Sequence, residues 1–168
     1  MKLPNILVWK GIALVALALS MGACAHDPNA GDLAGGVGAA TAAAGPGSVQ
    51  EFNASIGDRV FFDSDSSELS ATATATLDKQ ARWLAQYSSY AFTVEGHADE
   101  RGTREYNFAL GQRRAETVKA YLIAKGVGAQ RMKTISYGKE RPVAVCDDIS
   151  CWSQNRRAVT VLNGAPGS

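Results

Sequence analysis

The stretch AFTVEGHADERGT, residues 91–103, decides how this chain folds. Its first seven residues alternate between apolar and polar side chains, which is typical of a β-strand with one buried face. Residues 98–103 are mostly polar and include Gly102, which indicates a loop. Residues 105–125 follow as a helix, because apolar residues recur there at helical spacing. Those residues are Leu110, Ala115, Val118 and Leu122. The sequence therefore predicts a strand that leads through a charged loop into a long helix.

The same patterns predict the elements on either side of this unit. We predict strands at 60–62, 134–137 and 158–162, a helix at 71–86 and a helical turn at 153–156. Because helices cross between the first three strands, we expect parallel neighbours among them, and we expect the last strand to pair antiparallel. The predicted fold class is a two-layer α/β (α+β) sandwich with a mixed four-stranded sheet.

Two charged residues mark a candidate site in the central unit. Asp99 lies at the loop end of the strand, and Arg114 lies within the apolar face of the helix, where a charge either pairs or faces a pocket. The junction between a strand end and a helix start is a common ligand site in α/β folds. We expect Asp99 and Arg114 to lie within reach of each other. Spacing alone leaves two interpretations open: a site for a ligand with an ammonium and a carboxylate, or an internal salt bridge.

The N-terminus has the features of an export signal. Lys2 and Lys10 precede a short apolar run at 12–19, and small residues lead to Cys24. The run is too short to span a bilayer, and a cysteine at the cleavage point is typical of a lipoprotein signal. We therefore predict a signal peptide at 1–23, a lipid-modified Cys24 and a flexible Ala/Gly-rich tether over 24–57. The folded domain is predicted at 58–163, with a tail at 164–168.

Charge and cysteine content narrow the classes of function. Removing Lys2 and Lys10 with the signal takes two of the 17 basic residues and none of the 16 acidic ones. The mature chain is then nearly neutral, which gives no electrostatic basis for nucleic-acid binding. In an oxidising compartment we expect Cys146 and Cys151 to form a disulfide, and closing so short a loop stabilises the fold by about 2 kcal/mol. A metal site there is the weaker alternative, because no histidine lies nearby. His97 is expected to make a structural hydrogen bond, and neither a metal nor a cofactor is predicted.

Five motifs in order carry a resemblance to a known family. They are VEGHADERGT at 94–103, EYN at 105–107, GQRRA at 111–115, SYGKERP at 136–142 and NRRAV at 155–159. In these motifs the chain from about 58 to 162 resembles the peptidoglycan-associated lipoproteins, which belong to the OmpA C-terminal-like domains. The resemblance implies a domain that binds peptidoglycan non-covalently, through the diaminopimelate residue of the stem peptide.

The resemblance also implies roles for single residues and for partners. The aspartate and arginine that bind the ligand in the family match Asp99 and Arg114. The other groove residues implied by the motifs are Phe62, Asp63, Asn107, Asn155 and Arg156. A lipidated cysteine followed by Ala25 implies an outer-membrane anchor with the domain in the periplasm. The family further implies membership of the Tol–Pal system, which helps to constrict the outer membrane in cell division, with TolB as a partner that competes with peptidoglycan. The chain departs from better-known members in its Cys146/Cys151 loop.

An enzyme is the alternative from a different class. A periplasmic cell-wall hydrolase needs a nucleophile, a metal or paired carboxylates, and Asp63 with Asp99 is the candidate pair. Arg114 nearby would lower the pKa of a neighbouring carboxyl group, which is unfavourable for a general acid. We therefore predict that the chain is not an enzyme, and we assign no catalytic residue.

Overall fold

The computed structural model describes residues 45–164, and its elements follow the predicted order. The strands are β1 (Arg59–Phe61), β2 (Ala91–His97), β3 (Met132–Gly138) and β4 (Arg157–Asn163). The helices are α1 (Val49–Glu51), which continues as a π-helical turn over Phe52–Gly57, α2 (Ala71–Gln86), α3 (Arg104–Ala124) and α4 (Ile149–Asn155). Within these residues no helix is both long and apolar enough to cross a bilayer.

The four strands form one mixed sheet in the order β1-β4-β2-β3. β2 and β3 are parallel, and β4 is antiparallel to both of its neighbours, β1 and β2. The predicted fold class is confirmed, including the parallel neighbours and the antiparallel last strand. β1 does not lie beside β2, because β4 occupies the position between them.

α2 and α3 pack against one face of this sheet. The alternation in β2 directs Phe92 and Val94 into the core, while Thr93 and Glu95 are only half-buried. The helices contribute the facing side chains, all of which are fully or almost fully buried: Leu77, Leu84, Ala115, Val118 and Leu122. Each large apolar side chain buried in this way stabilises the fold by about 1.5–3 kcal/mol.

The folded domain begins before residue 58, and the prediction of a flexible tether over 24–57 is wrong for residues 48–57. The hydroxyl of Ser48 caps α1 by accepting a hydrogen bond from the Glu51 N–H. The Phe52 ring is completely buried, with its centroid 4.9 Å from that of Trp83. The Glu51 carboxylate accepts hydrogen bonds from Trp83 Nε1 (2.8 Å) and the Gly47 N–H (2.7 Å). Phe52, together with the partly buried Val49 and Ile56, thus packs this segment against the core. The predicted signal peptide and Cys24 lie outside the described residues.

Two glycines bring α3 unusually close to β2. A Cβ atom on Gly96 would lie 1.8 Å from the carbonyl oxygen of Gly111, and one on Gly111 would lie 2.4 Å from the Ser136 hydroxyl oxygen. No side chain fits into either space. The close approach sets the start of α3 against the end of β2, and the charged loop between them is held at this edge of the sheet.

Candidate ligand-binding site

A cavity of about 240 Å³ lies where β2 ends and α3 begins. The Thr103 hydroxyl caps α3 by accepting a hydrogen bond from the Tyr106 N–H, so the charged loop ends in a defined turn. The cavity is lined by Ser64, Asp65, Asp99, Arg101, Gly102, Tyr106, Asn107, Leu110 and Arg114. Two carboxylates and two guanidinium groups therefore border one space. Such a balanced set suits a ligand that carries both an ammonium and a carboxylate.

Arg114 forms the buried positive side of this cavity. Its guanidinium donates hydrogen bonds to the backbone carbonyls of Ser66 (2.8 Å), His97 (2.8 Å) and Asp63 (3.1 Å). Burial lowers the pKa of Arg114 to about 10, although the negative charge of Asp99 acts to raise it, so the side chain is still a cation at neutral pH. Arg114 is completely shielded from solvent. A ligand can therefore contact the guanidinium only if neighbouring side chains move.

Asp99 forms the negative side of the cavity, and its direct partners are Arg101 and Arg156 rather than Arg114. Its carboxylate pairs with Arg101 (2.7 Å) and with Arg156 (3.4 Å). Burial acts to raise the pKa of Asp99, but hydrogen bonds and positive charge from Arg101, with Arg156, outweigh it and hold the pKa below its usual value. Asp99 and Arg114 lie on the same cavity, as predicted, yet they are not among the ion pairs of residues 45–164. The alternative interpretation, an internal salt bridge between Asp99 and Arg114, is wrong, because the Arg114 guanidinium is directed to backbone carbonyls instead.

Three further predicted residues support these two side chains. The Phe62 ring lies beneath the Arg114 guanidinium, 5.2 Å from it, at the distance of a cation–π contact. Asn107 is buried in the cavity wall and donates a 2.6 Å hydrogen bond to the Arg101 carbonyl, which holds the loop. Arg156 donates to the Phe62 carbonyl (3.0 Å) as well as to Asp99. These residues fix the positions of the two candidate ligand-binding charges.

Phe62 and Arg156 nevertheless line a neighbouring cavity rather than the first one, and two other predicted residues do not support the two charges through their side chains. Only the backbone carbonyl of Asp63 contacts Arg114, and its exposed side chain faces this neighbouring cavity of about 450 Å³ bordered by Glu68 and Arg156. Asn155 is buried, and its amide oxygen accepts hydrogen bonds from the N–H groups of Val143 and Ala144. Asn155 therefore holds the loop before α4 rather than the edge of the first cavity. The structure closes this loop with the predicted disulfide between Cys146 and Cys151, whose Cα atoms are 5.6 Å apart.

Among the residues that line the cavity, sequence reasoning did not assign Asp65, Arg101 and Tyr106 to the site. Asp65 occupies the left-handed region of backbone conformation (φ 56°), which aspartate tolerates better than most residues, and its carboxylate accepts a hydrogen bond from the Tyr106 hydroxyl. Arg101 covers Asp99. Two sequence features could have indicated these residues. One is the turn-forming run Asp63–Ser66, and the other is the spacing of Asp99 and Arg101, because an aspartate carboxylate often accepts a hydrogen bond from the backbone N–H two residues later, as it does here.

His97 behaves differently from its prediction. Both ring nitrogens are buried without a hydrogen-bond partner within residues 45–164, and the nearest carboxylate, that of Glu95, is 3.7 Å away. Burial, and then the positive charges of Arg157 and Arg141, lower the pKa of His97 to about 4. The described part of the chain contains no cluster of three His, Cys, Asp or Glu side chains that is suited to a metal ion.

Comparison with known proteins agrees with this architecture. The model of the OmpA family matches residues 61–156. The peptidoglycan-associated lipoprotein of Rhizobium meliloti is 62% identical over 154 residues, which cover 92% of this chain and 87% of that protein. The protein of the same name from Agrobacterium fabrum is 60% identical over 159 residues, covering 92% and 88%.

Solved structures give the same result at the level of the fold. The crystal structure of the peptidoglycan-associated lipoprotein from Burkholderia pseudomallei is 42% identical, with a TM-score of 0.63 over 66% of this chain and 96% of that one. The C-terminal domain of Helicobacter pylori MotB is 21% identical, with a TM-score of 0.60 over 64% and 85%. That second similarity concerns the fold alone.

Proposed function

This chain belongs to the OmpA family and, within it, to the peptidoglycan-associated lipoproteins, and from that premise we propose that its folded domain binds peptidoglycan non-covalently. The observation that carries the proposal is that two opposite charges border one cavity. A buried Arg114 cation and the Asp99 carboxylate border the same space, and neither charge pairs with the other.

The ligand group that fits these charges is the free end of diaminopimelate in the stem peptide. That end carries an ammonium and a carboxylate on one carbon atom. Asp99 accepts hydrogen bonds from the ammonium, and the positive charge of Arg114 attracts the carboxylate. Each charged hydrogen bond of this kind contributes about 1.5–3 kcal/mol. The hydrogen bonds of Asn107 and Arg156 hold the site in shape before the ligand arrives.

The arrangement does not favour a cell-wall hydrolase. The side chains of Asp63 and Asp99 border different cavities, so they do not face one scissile bond. The pKa of Asp99 is held below its usual value, whereas a general acid needs a raised pKa. The two carboxylates therefore lack the arrangement that glycoside hydrolysis requires.

We further propose that lipid on Cys24 anchors the domain to the periplasmic face of the outer membrane. Two or three acyl chains hold a protein firmly, at about 0.8 kcal/mol per buried methylene. The domain would then join the outer membrane to the cell wall as part of the Tol–Pal system, with TolB as a partner that competes for the domain. This role supports envelope integrity and constriction of the outer membrane during division.

The test is retention of the purified full-length protein, in detergent, on intact sacculi. We expect the wild-type protein to be retained on walls whose stem peptide contains meso-diaminopimelate, and not on walls with lysine there, because lysine lacks the side-chain carboxylate. Asp99→Asn removes the negative charge at nearly constant shape, and affinity should fall about 10- to 100-fold. Asp147→Asn is the matched control, because Asp147 is exposed and lies outside the cavity.

Two outcomes would refute the proposal. Equal retention of the Asp99→Asn variant and the wild-type protein would exclude Asp99 as a ligand contact. Release of soluble muropeptides during the incubation would instead support the hydrolase.

A further inference from the structure

We propose that Arg101 occupies the ammonium position of the site in the ligand-free protein, and that a ligand must displace its guanidinium to reach Asp99. This inference rests on the proposed function, because it concerns the same carboxylate. Arg101 would then be a specificity-determining residue, because only a cationic hydrogen-bond donor can replace its guanidinium at the Asp99 carboxylate.

The contacts of Asp99 show that its oxygens are already in use. Oδ1 accepts hydrogen bonds from the backbone N–H of Arg101 (3.2 Å) and from its Nε (3.2 Å), and Oδ2 accepts one from its Nη2 (2.7 Å). Arg156 adds a longer contact of 3.4 Å to Oδ2. An ammonium has three donors and needs a carboxylate oxygen that is free to accept. The Arg101 side chain therefore stands where the ligand ammonium has to bind.

The two guanidinium groups at Asp99 differ in their freedom to move. The Arg156 side chain is 8% exposed and is also held by the Phe62 carbonyl. The Arg101 side chain is 44% exposed and lies on the solvent side of Asp99. Moving a half-exposed side chain costs little, because its charge gains hydration as it leaves. Arg101 is thus the partner that a ligand can displace.

Contacts at the mouth of the cavity hold Arg101 in this position. Its Nη2 donates a 2.8 Å hydrogen bond to the Ser64 hydroxyl, and its guanidinium lies 4.3 Å from the centre of the Trp152 ring. The Trp152 indole N–H is in turn bonded to the Glu100 carboxylate. These contacts are lost together when Arg101 moves, so they lower the affinity of any ligand that needs Asp99.

Displacement also changes the charge around the cavity. Arg101 and Arg114 both line it, together with the carboxylates of Asp65 and Asp99. Removing the Arg101 guanidinium leaves Asp65 and Asp99 with Arg114 in the cavity lining, while Arg156 still contacts Asp99 from outside it. The surroundings of the cavity thus lose one positive charge, which favours an incoming ammonium.

The experiment measures binding of the tripeptide L-alanyl-γ-D-glutamyl-meso-diaminopimelate to the full-length protein in detergent by titration calorimetry. We expect Arg101→Gln to bind about tenfold more tightly than the wild-type protein, because no cation has to be displaced. Arg101→Lys keeps the charge but loses the two-pronged contact, and should be intermediate. Arg104→Gln is the matched control: it removes the same charge from a side chain that is 73% exposed and lies outside this cavity.

Two further readouts separate displacement from a general structural effect. The pKa of Asp99, measured by NMR on the ligand-free protein, should rise in Arg101→Gln, because Arg101 is the main group that lowers it. Tryptophan fluorescence should change on tripeptide binding in the wild-type protein as Arg101 leaves Trp152, and this change should be absent in Trp152→Phe.

The outcomes distinguish this inference from the proposed function. If the wild-type protein binds the tripeptide and Asp99→Asn does not, while Arg101→Gln binds no more tightly than wild type, displacement is refuted and the proposed site stands. If the wild-type, Asp99→Asn and Arg101→Gln proteins all fail to bind, both proposals are refuted.

Discussion

Replacing Phe52 by alanine tests whether the segment before β1 belongs to the folded domain. The sequence predicts that this segment is part of a flexible tether. In the structure, however, the Phe52 ring is completely buried against Trp83 and the core. Removing a fully buried phenylalanine side chain from a core costs about 3–5 kcal/mol. This is a large part of the 5–15 kcal/mol that stabilises an ordinary domain.

The measurement is urea unfolding of the full-length protein, followed by circular dichroism. With a denaturant slope of about 2 kcal/mol per molar, Phe52→Ala should lower the unfolding midpoint by about 2 M. Phe108→Ala is the matched control, because the Phe108 side chain is 55% exposed and lies outside the core, so its midpoint should move by less than about 0.5 M.

Equal midpoints for the two variants would refute the reasoning. The residues before β1 would then contribute nothing to stability, and the folded domain would begin at β1. A lowered midpoint for Phe52→Ala alone would establish that the segment around Phe52 belongs to the folded domain.

Two other predictions concern the sheet and its contacts. Because the folded-state pKa of His97 is about 4 against 6.5 for a free histidine, the unfolded chain binds the proton more readily. The free energy of unfolding is therefore not reduced by His97 above pH 6.5, and it falls as the pH drops towards 4, by about 2 kcal/mol between pH 7.5 and 5. The urea midpoints at these two pH values should differ for the wild-type protein and much less for His97→Gln. Gly96→Ala would place its Cβ 1.8 Å from the Gly111 carbonyl oxygen and should force α3 away from β2, at a cost of at least about 3 kcal/mol. Gly126→Ala is its control, because no atom lies within 4 Å of the added Cβ and only the positive φ of 92° opposes the change; equal loss of thermal stability in both variants would contradict the close-contact argument.

The central unit could be predicted because its signals are local. The alternation over 91–97 and the helical spacing over 105–125 each arise within one element, and the structure has β2 and α3 at nearly those bounds. That Asp99 and Arg114 border one cavity followed from the same unit, since a strand end and the next helix start are joined by a short loop.

The direct partners of these charges could not be predicted in this way. The Arg114 guanidinium bonds to carbonyls of residues 48 and 51 positions away, in the turn after β1. That turn reaches the cavity only because β4 pairs with both β1 and β2. Likewise, His97 was expected to hydrogen-bond, but its ring is buried near the positive charges of Arg157 and Arg141, with no hydrogen-bond partner within residues 45–164.

The sequence by itself determined the order of the elements, the fold class, the family and the two charges at the site, because periodicity and motif spacing are properties of neighbouring residues. Only the tertiary structure decided that residues 48–57 join the core and that Arg101 rather than Arg114 pairs with Asp99. It also decided that four predicted residues lie outside the lining of the first cavity: Phe62, Asp63, Asn155 and Arg156. The physical reason is that burial and hydrogen-bond partners depend on contacts between segments that are distant in the sequence. Local periodicity and motif spacing carry no information on those contacts.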